Sequence, residues 1–279
     1  AGRTVAGLGD IDGDGFDDIA VGAPDADPQG RTNGGEAYII LGRSDPLPPS
    51  FDARDLGDAG SIVIEGASDK DFAGFAIAGA GDVNGDGFDD VLVGAYDATV
   101  QGIPRVGAAY VIFGSDTDLP THLDLADLDG TDGFVIEGVA AKDGAGRAVA
   151  GVGDVNGDGF DDLVVGARYA DRGDGGEGAA YLIFGHDGGF AARLDAGSLG
   201  EDEGCILLGG WRDAYAGFAV SGGGDMNGDG LDDLLIGAPA DGDAGQPGST
   251  YLLFGDRNFG EPEPRPLIAH PPAPLPDLA

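Results

Sequence analysis

Four copies of one acidic nine-residue loop recur along the chain at almost constant spacing. They read Asp10-Ile-Asp-Gly-Asp-Gly-Phe-Asp-Asp18, Asp82-Val-Asn-Gly-Asp-Gly-Phe-Asp-Asp90, Asp154-Val-Asn-Gly-Asp-Gly-Phe-Asp-Asp162 and Asp225-Met-Asn-Gly-Asp-Gly-Leu-Asp-Asp233. Their starts lie 72, 72 and 71 residues apart. A fixed period means that one structural unit is built four times and stacked against itself.

The loop supplies oxygen atoms at alternate positions. Position 1 is Asp10, Asp82, Asp154 or Asp225, and position 3 is Asp12, Asn84, Asn156 or Asn227. Position 5 is Asp14, Asp86, Asp158 or Asp229, and position 9 is Asp18, Asp90, Asp162 or Asp233. Position 7 is Phe16, Phe88, Phe160 or Leu231, which can offer only a backbone carbonyl. Five convergent hard oxygens, most of them charged, suit Ca²⁺, about four ions per chain. Mg²⁺ demands a tighter octahedron and keeps more of its water, and the lack of His or Cys argues against Zn²⁺.

Positions 4 and 6 are Gly in every copy, as a chain wrapping round an ion requires. The first half of the loop thus resembles an EF-hand loop, but position 12 is Val21, Val93, Val165 or Ile236 instead of a bidentate Glu. Short apolar runs follow each loop: Ile19-Ala-Val21, Val91-Leu-Val93, Leu163-Val-Val165 and Leu234-Leu-Ile236. Bounded by Gly, they read as buried strands, so the loop is predicted to join two strands.

Composition narrows the partners. The formal charge is −37, and the loops hold 17 of the 51 acids. Four Ca²⁺ would bring the charge to about −29. Nucleic acid and anionic membrane surfaces are not expected as partners, because both need clustered cations. No stretch is long or apolar enough to insert in a membrane. Cys205 is the sole cysteine and lies in an apolar strand, so it reads as core. Loops of few ligands match the millimolar Ca²⁺ outside cells, which predicts an extracellular or cell-surface location. The chain opens inside a repeat without a signal peptide, as expected of a mature or truncated product.

Each unit offers four apolar segments. In the second they are Gly74–Gly79, Val91–Val93, Ala109–Phe113 and Gly133–Ile136. Four short strands without helical periodicity describe a four-stranded antiparallel sheet. Such a sheet buries both faces only when copies stack radially, which is the logic of a β-propeller. The fold class predicted is therefore all-β, a propeller with four blades on this chain.

The loop, together with Gly22-Ala-Pro24 and Gly237-Ala-Pro239, resembles the FG-GAP repeats of integrin α-subunit propellers and their bacterial relatives. Two copies of the tripeptide are altered, to Gly94-Ala-Tyr96 and Gly166-Ala-Arg168. The Phe-Gly half of the motif is Ala-Gly in all four units. The blades are expected over about residues 1–71, 72–143, 144–214 and 215–260, the last lacking its outer strand. Residues 261–279 are Pro-rich and read as an extended tail or linker. The chain reads either as a compact ring or as part of a longer protein with further blades or domains.

The resemblance implies that ligands dock on the face opposite the metal loops. The connections between blades there carry Lys70-Asp71, Lys142-Asp143 and Arg212-Asp213 in one register. Lys70, Lys142, Arg212 and the lone Trp211 are the candidate ligand-face residues, against a plainer reading of ion pairs between blades. Arg172-Gly173-Asp174 spells a cell-attachment tripeptide, but composition alone delivers roughly 0.4 copies. His122, His186 and His270 are scattered, and no catalytic constellation stands out. The favoured function is a calcium-stabilised binding or adhesion module for a protein or glycan. The alternatives are a polysaccharide-acting hydrolase or lyase, and a purely structural segment of a larger adhesin.

Overall fold

The structure is a computed structural model that describes residues 1–45, 60–116, 119–171, 176–210, 212–240, 248–259 and 265–267. Each repeat folds as an antiparallel meander. The first comprises β1 (Val5–Gly9), β2 (Asp18–Ala23), β3 (Glu36–Ile40) and β4 (Ser61–Glu65). The second comprises β5 (Ala76–Gly81), β6 (Asp90–Ala95) and β7 (Ala108–Ile112), closed by β9 (Gly133–Glu137). The third comprises β10 (Ala148–Gly153), β11 (Asp162–Ala167) and β12 (Ala179–Ile183), closed by β14 (Gly204–Leu208). The fourth shows β15 (Ala219–Gly224), β16 (Asp233–Ala238) and β17 (Ser249–Leu253), three strands among the described residues.

Alternation along each strand sends side chains to the two neighbouring blades. In β6, Val91 and Val93 pack toward the first blade with Ile39 and Ile64, while Leu92 points to the third. Leu92, Val111, Phe134 and Ile136 meet Leu163, Val165, Tyr181 and Ile183 at the second junction. Val164, Leu182, Cys205 and Leu207 meet Leu234, Ile236 and Tyr251 at the third. Burying one such side chain contributes about 1.5–3 kcal/mol, so the junctions, not the sheets alone, hold the array together. The inner strands β1, β5, β10 and β15 neighbour one another in that order. The small residues of these strands allow that close approach. The chain is thus an all-β propeller array of four blades, with the first and last not in comparable contact among the described residues.

One feature goes beyond the four-stranded blade expected from the sequence. Three short strands leave their own repeat and add in parallel to the outer edge of the preceding blade. They are β8 (His122–Asp124) on β4, β13 (Arg193–Asp195) on β9 and β18 (Arg265–Pro266) on β14. An outer strand presents a free row of N–H and C=O groups, and a passing crossover satisfies it. Arg31 clasps the first addition, its guanidinium 2.5 Å from Asp124, and Arg193 pairs with Glu137 across the second. The third falls within the Pro-rich segment: Leu267 is buried and its N–H donates to the Leu208 carbonyl at 2.7 Å. Residues 261–264 and 268–279 lie outside the described residues.

Candidate metal loops and the opposite face

The acidic loops are the β1–β2, β5–β6, β10–β11 and β15–β16 connections, all at one end of the sheets. Their carboxylates are arranged by backbone donors. Asp10 accepts from the N–H groups of Asp14 at 3.1 Å and Gly15 at 2.9 Å, and Asp12 accepts from Asp14 at 3.2 Å. Asp82, Asp154 and Asp225 receive the equivalent pair of bonds. In the first loop, ligand oxygens of Asp10, Asp12 and Asp18 lie within 4.8 Å of one another. In the others position 3 is Asn84, Asn156 or Asn227, whose Oδ1 accepts from the N–H at position 5 just as Asp12 does. Asp14, Asp86, Asp158 and Asp229 each accept from the position 7 N–H, that of Phe16, Phe88, Phe160 or Leu231.

Position 9 has a second duty. Asp18, Asp90, Asp162 and Asp233 are fully buried. One oxygen of each accepts from the loop, at Ile11, Val83, Val155 or Met226. The other accepts from the glycine just after the third strand, at Gly42, Gly114, Gly185 or Gly255. Burial pushes Asp90 and Asp162 up to about 8, against the pull of those N–H donors, and nearby loop acids add to the rise. Burial likewise raises Asp18. Buried carboxylates crowded by other acids stay ionised only where positive charge compensates them. The donor set, all oxygen and mostly anionic, fits a hard divalent cation.

Position 8 is a functional residue that the alternate-ligand reading passed over. Asp89, Asp161 and Asp232 reach back to the preceding loop and accept from the N–H of Asp10, Asp82 and Asp154 at 2.9, 2.9 and 3.1 Å. Their own N–H groups donate to the carbonyls of the same residues. Gly9, Gly81 and Gly153 make room: a Cβ there would meet the partner carboxylate at 1.9–2.1 Å. The side chain at position 7 also acts, since Phe88 lies over Gly13 and Phe160 over Gly85. The signal was present as an unbroken Asp-Asp at positions 8 and 9 in all four copies.

The opposite end holds the expected ligand-face residues. Lys70 and Lys142 are exposed, while Asp71 and Asp143 beside them turn inward and are buried. The Asp143 carboxylate accepts from the Ala140 N–H at 2.8 Å. Arg212 and Asp213 both remain exposed, 4.0 Å apart. Lys142 lines a cleft of about 600 Å³ between the second and third blades, whereas Lys70 and Arg212 do not. Trp211 and the tripeptide Arg172–Asp174 lie outside the described residues.

The sequence profile of the FG-GAP repeat matches four segments, residues 1–40, 73–112, 145–183 and 216–253. Integrin alpha-PS2 of Drosophila melanogaster is 32% identical over 235 residues, which is 82% of this chain and 14% of that protein. Integrin alpha-5 of Xenopus laevis is 28% identical over 85% of this chain and 20% of its own length. Phosphatidylinositol-glycan-specific phospholipase D of Bos taurus is 35% identical over 68% of this chain and 21% of its own. The chain therefore spans about a fifth or less of these relatives. Among the described residues no helix is long and apolar enough to cross a membrane.

Proposed function

The chain belongs to the FG-GAP repeat family, and on that premise we propose that it is a calcium-stabilised, extracellular or cell-surface binding module for a protein or glycan. The observation that carries this reading is a position 9 carboxylate buried in every loop, in the first with ligand oxygens of Asp10 and Asp12 within 4.8 Å. Asp10, Asp12, Asp14 and Asp18, with the Phe16 carbonyl, would hold the first ion, and the equivalent residues of each loop the others. Calcium would supply the charge that lets these acids stay ionised in a folded loop. The position 8 carboxylate of the next blade grips the position 1 N–H of each of the first three loops, so an ion that orders such a loop also supports the junction beside it. The integrin relatives support an adhesive role outside the cell, where Ca²⁺ is abundant.

Calorimetric titration of the metal-stripped chain tests the reading. It is expected to find about four Ca²⁺, and Asp86→Ala is expected to remove one site while leaving the rest. No calcium heat, together with a melting curve unmoved by EDTA, would overturn it.

A further inference from the structure

The cleft between the second and third blades collects cations that the rest of this acidic surface lacks. Arg147, Arg168 and Lys142 line it, and Tyr96 and Tyr169 wall it. Arg105 and Asp97 also line it but are paired with each other at 3.2 Å. Asp97 is the sole acid among the described lining residues, so none there is left for Arg147, Arg168 or Lys142. The Arg147 guanidinium lies 4.8 Å from the Phe75 ring centre and 5.1 Å from that of Tyr96, while Arg168 lies 4.3 Å from Tyr169. These rings hold both guanidinium planes in place without neutralising them. The Nε of Arg168 is buried with no hydrogen-bond partner among the described residues. Burial and the charge of Arg168 both lower the pKa of Arg147, as crowding of like charge requires.

The lining departs from the repeat where the four copies should agree. Tyr96 and Arg168 replace the Pro found at Pro24 and Pro239. Gly144 occupies the place of Phe72 and Tyr215 in the flanking connections. All three share one backbone conformation, with φ of 64°, 56° and 57°. A Cβ on Gly144 would stand 3.7 Å from Tyr169 and 3.8 Å from the Tyr96 carbonyl, so an aromatic side chain there would enter the cleft. The cleft exists because this copy of the repeat gives up its aromatic plug.

We propose that the cleft binds the carboxylate of an acidic sugar, a uronate unit within a glycan chain. Guanidinium and ammonium groups with no carboxylate partner in the cleft recognise the acid, Arg147 with two parallel donors and Arg168 with the donors left by its bond to the Tyr169 hydroxyl. The tyrosines accept the C–H face of the pyranose ring and can hydrogen-bond its hydroxyls. A uronate carries both features in one ring, whereas an acidic peptide side chain has no flat apolar face. The rest of the surface repels a polyanion, so recognition must be local. The proposal rests on the glycan arm of the binding-module reading and is independent of the calcium it assigns.

The test is calorimetry on the calcium-loaded chain with hyaluronan tetrasaccharide, its carboxyl-reduced neutral counterpart, and acetate. The tetrasaccharide should bind, the neutral form at least tenfold more weakly, and acetate should not displace it at equal concentration. Gly144→Phe and Arg168→Gln should each weaken binding at least tenfold. Gly144→Phe restores the residue type of a neighbouring repeat, and if it misfolds, Arg168→Gln alone decides. No binding by the native chain, equal binding of the neutral sugar, displacement by acetate, or unchanged affinity in a folded variant would each overturn the proposal. Calcium stoichiometry is measured on the same samples. Its failure sinks the calcium reading alone, and loss of sugar recognition with calcium binding intact sinks the cleft alone.

Discussion

The junctions inside the array and the two ends of the array are built from the same residues in different company. At an inner junction Asp161 grips the Asp82 N–H and Phe160 covers Gly85. At the first blade the equivalents, Asp17 and Phe16, are exposed. At the fourth blade the receiving glycines, Gly224 and Gly228, have nothing within 4 Å of an added Cβ. The hydrophobic faces follow suit. Ile19 is 44% exposed where Val91 and Leu163 are buried, and Phe254 is 50% exposed where Phe113 and Phe184 are buried. One end thus carries the donor half of the junction and the other the acceptor half. A repeat is therefore complete only in its neighbour's presence, and the energy of the array lies between its units.

Calcium is the largest lever on this contrast. At an ion concentration twentyfold above Kd, each site adds about 1.8 kcal/mol to stability, and four sites about 7 kcal/mol. EDTA should therefore lower the melting temperature by many degrees. The loss should be shared among all four loops, because end loops carry the same ligands as inner ones. A melting shift confined to variants of the two middle loops would show instead that calcium acts only where two blades meet.

The clasp at position 8 comes next. Asp161→Ala removes a charge-assisted bond across a junction and should cost about 1.5–3 kcal/mol. Asp17→Ala, the same substitution with no partner blade, should stay within about 0.5 kcal/mol. Denaturant melts of the two variants in saturating Ca²⁺ give the difference. Equal costs would mean that the aspartate works within its own loop, and the contrast between junction and end would fail.

This clasp also shows where sequence reading stops. The ligand positions, the period and the strands after each loop were legible because they are local: oxygen spacing, Gly placement and β-branched runs. The strand exchange was not. His122-Leu-Asp124 and Arg193-Leu-Asp195 are too short to register as strands, and the edge they complete belongs to another repeat. Position 8 was hidden for a related reason. Its Asp looks like one more carboxylate of the loop until the next blade is in place. The cleft was half visible: the altered tripeptides at Tyr96 and Arg168 stand in the sequence, but only the fold brings them to Lys142 and Gly144.

Asp71 and Asp213 offer a comparison in pH. The sequence set them in one register, but Asp213 takes the positive φ of Lys70 and Lys142 (58° against 65° and 77°), so buried Ala214 holds the place of buried Asp71 and Asp213 stands exposed. Burial lifts Asp71 to about 6, outweighing the N–H donors of Ser68 and Thr99 and the charge of Arg31, with Asp69 adding to the rise. The native chain then holds more protons than the unfolded chain between about pH 4 and 6, so this group's stabilisation is present below that window and is lost as pH rises through it. The loss is about 3 kcal/mol, one pKa unit being about 1.4. Asp71→Asn should remove it, making the variant more stable than the native chain at pH 7 and indistinguishable at pH 4. Asp213→Asn should change neither. A variant-minus-native difference that stays flat from pH 4 to 7 would show that Asp71 titrates normally.

The smallest effect is expected at the open face of the fourth blade. Phe254 and Phe184 hold the same place in their repeats, but nothing packs over Phe254 among the described residues. Phe254→Ser should therefore change stability by no more than about 0.5 kcal/mol, the range of ordinary surface substitutions. Light scattering before and after the change reports whether the exposed ring drives association. A cost near the 3–5 kcal/mol typical of emptying a buried Phe site would mean that the face is covered in solution. Because the first blade bears the complementary face, a concentration dependence of that cost would identify a second copy as the cover. Independence of concentration would place the cover within the same chain.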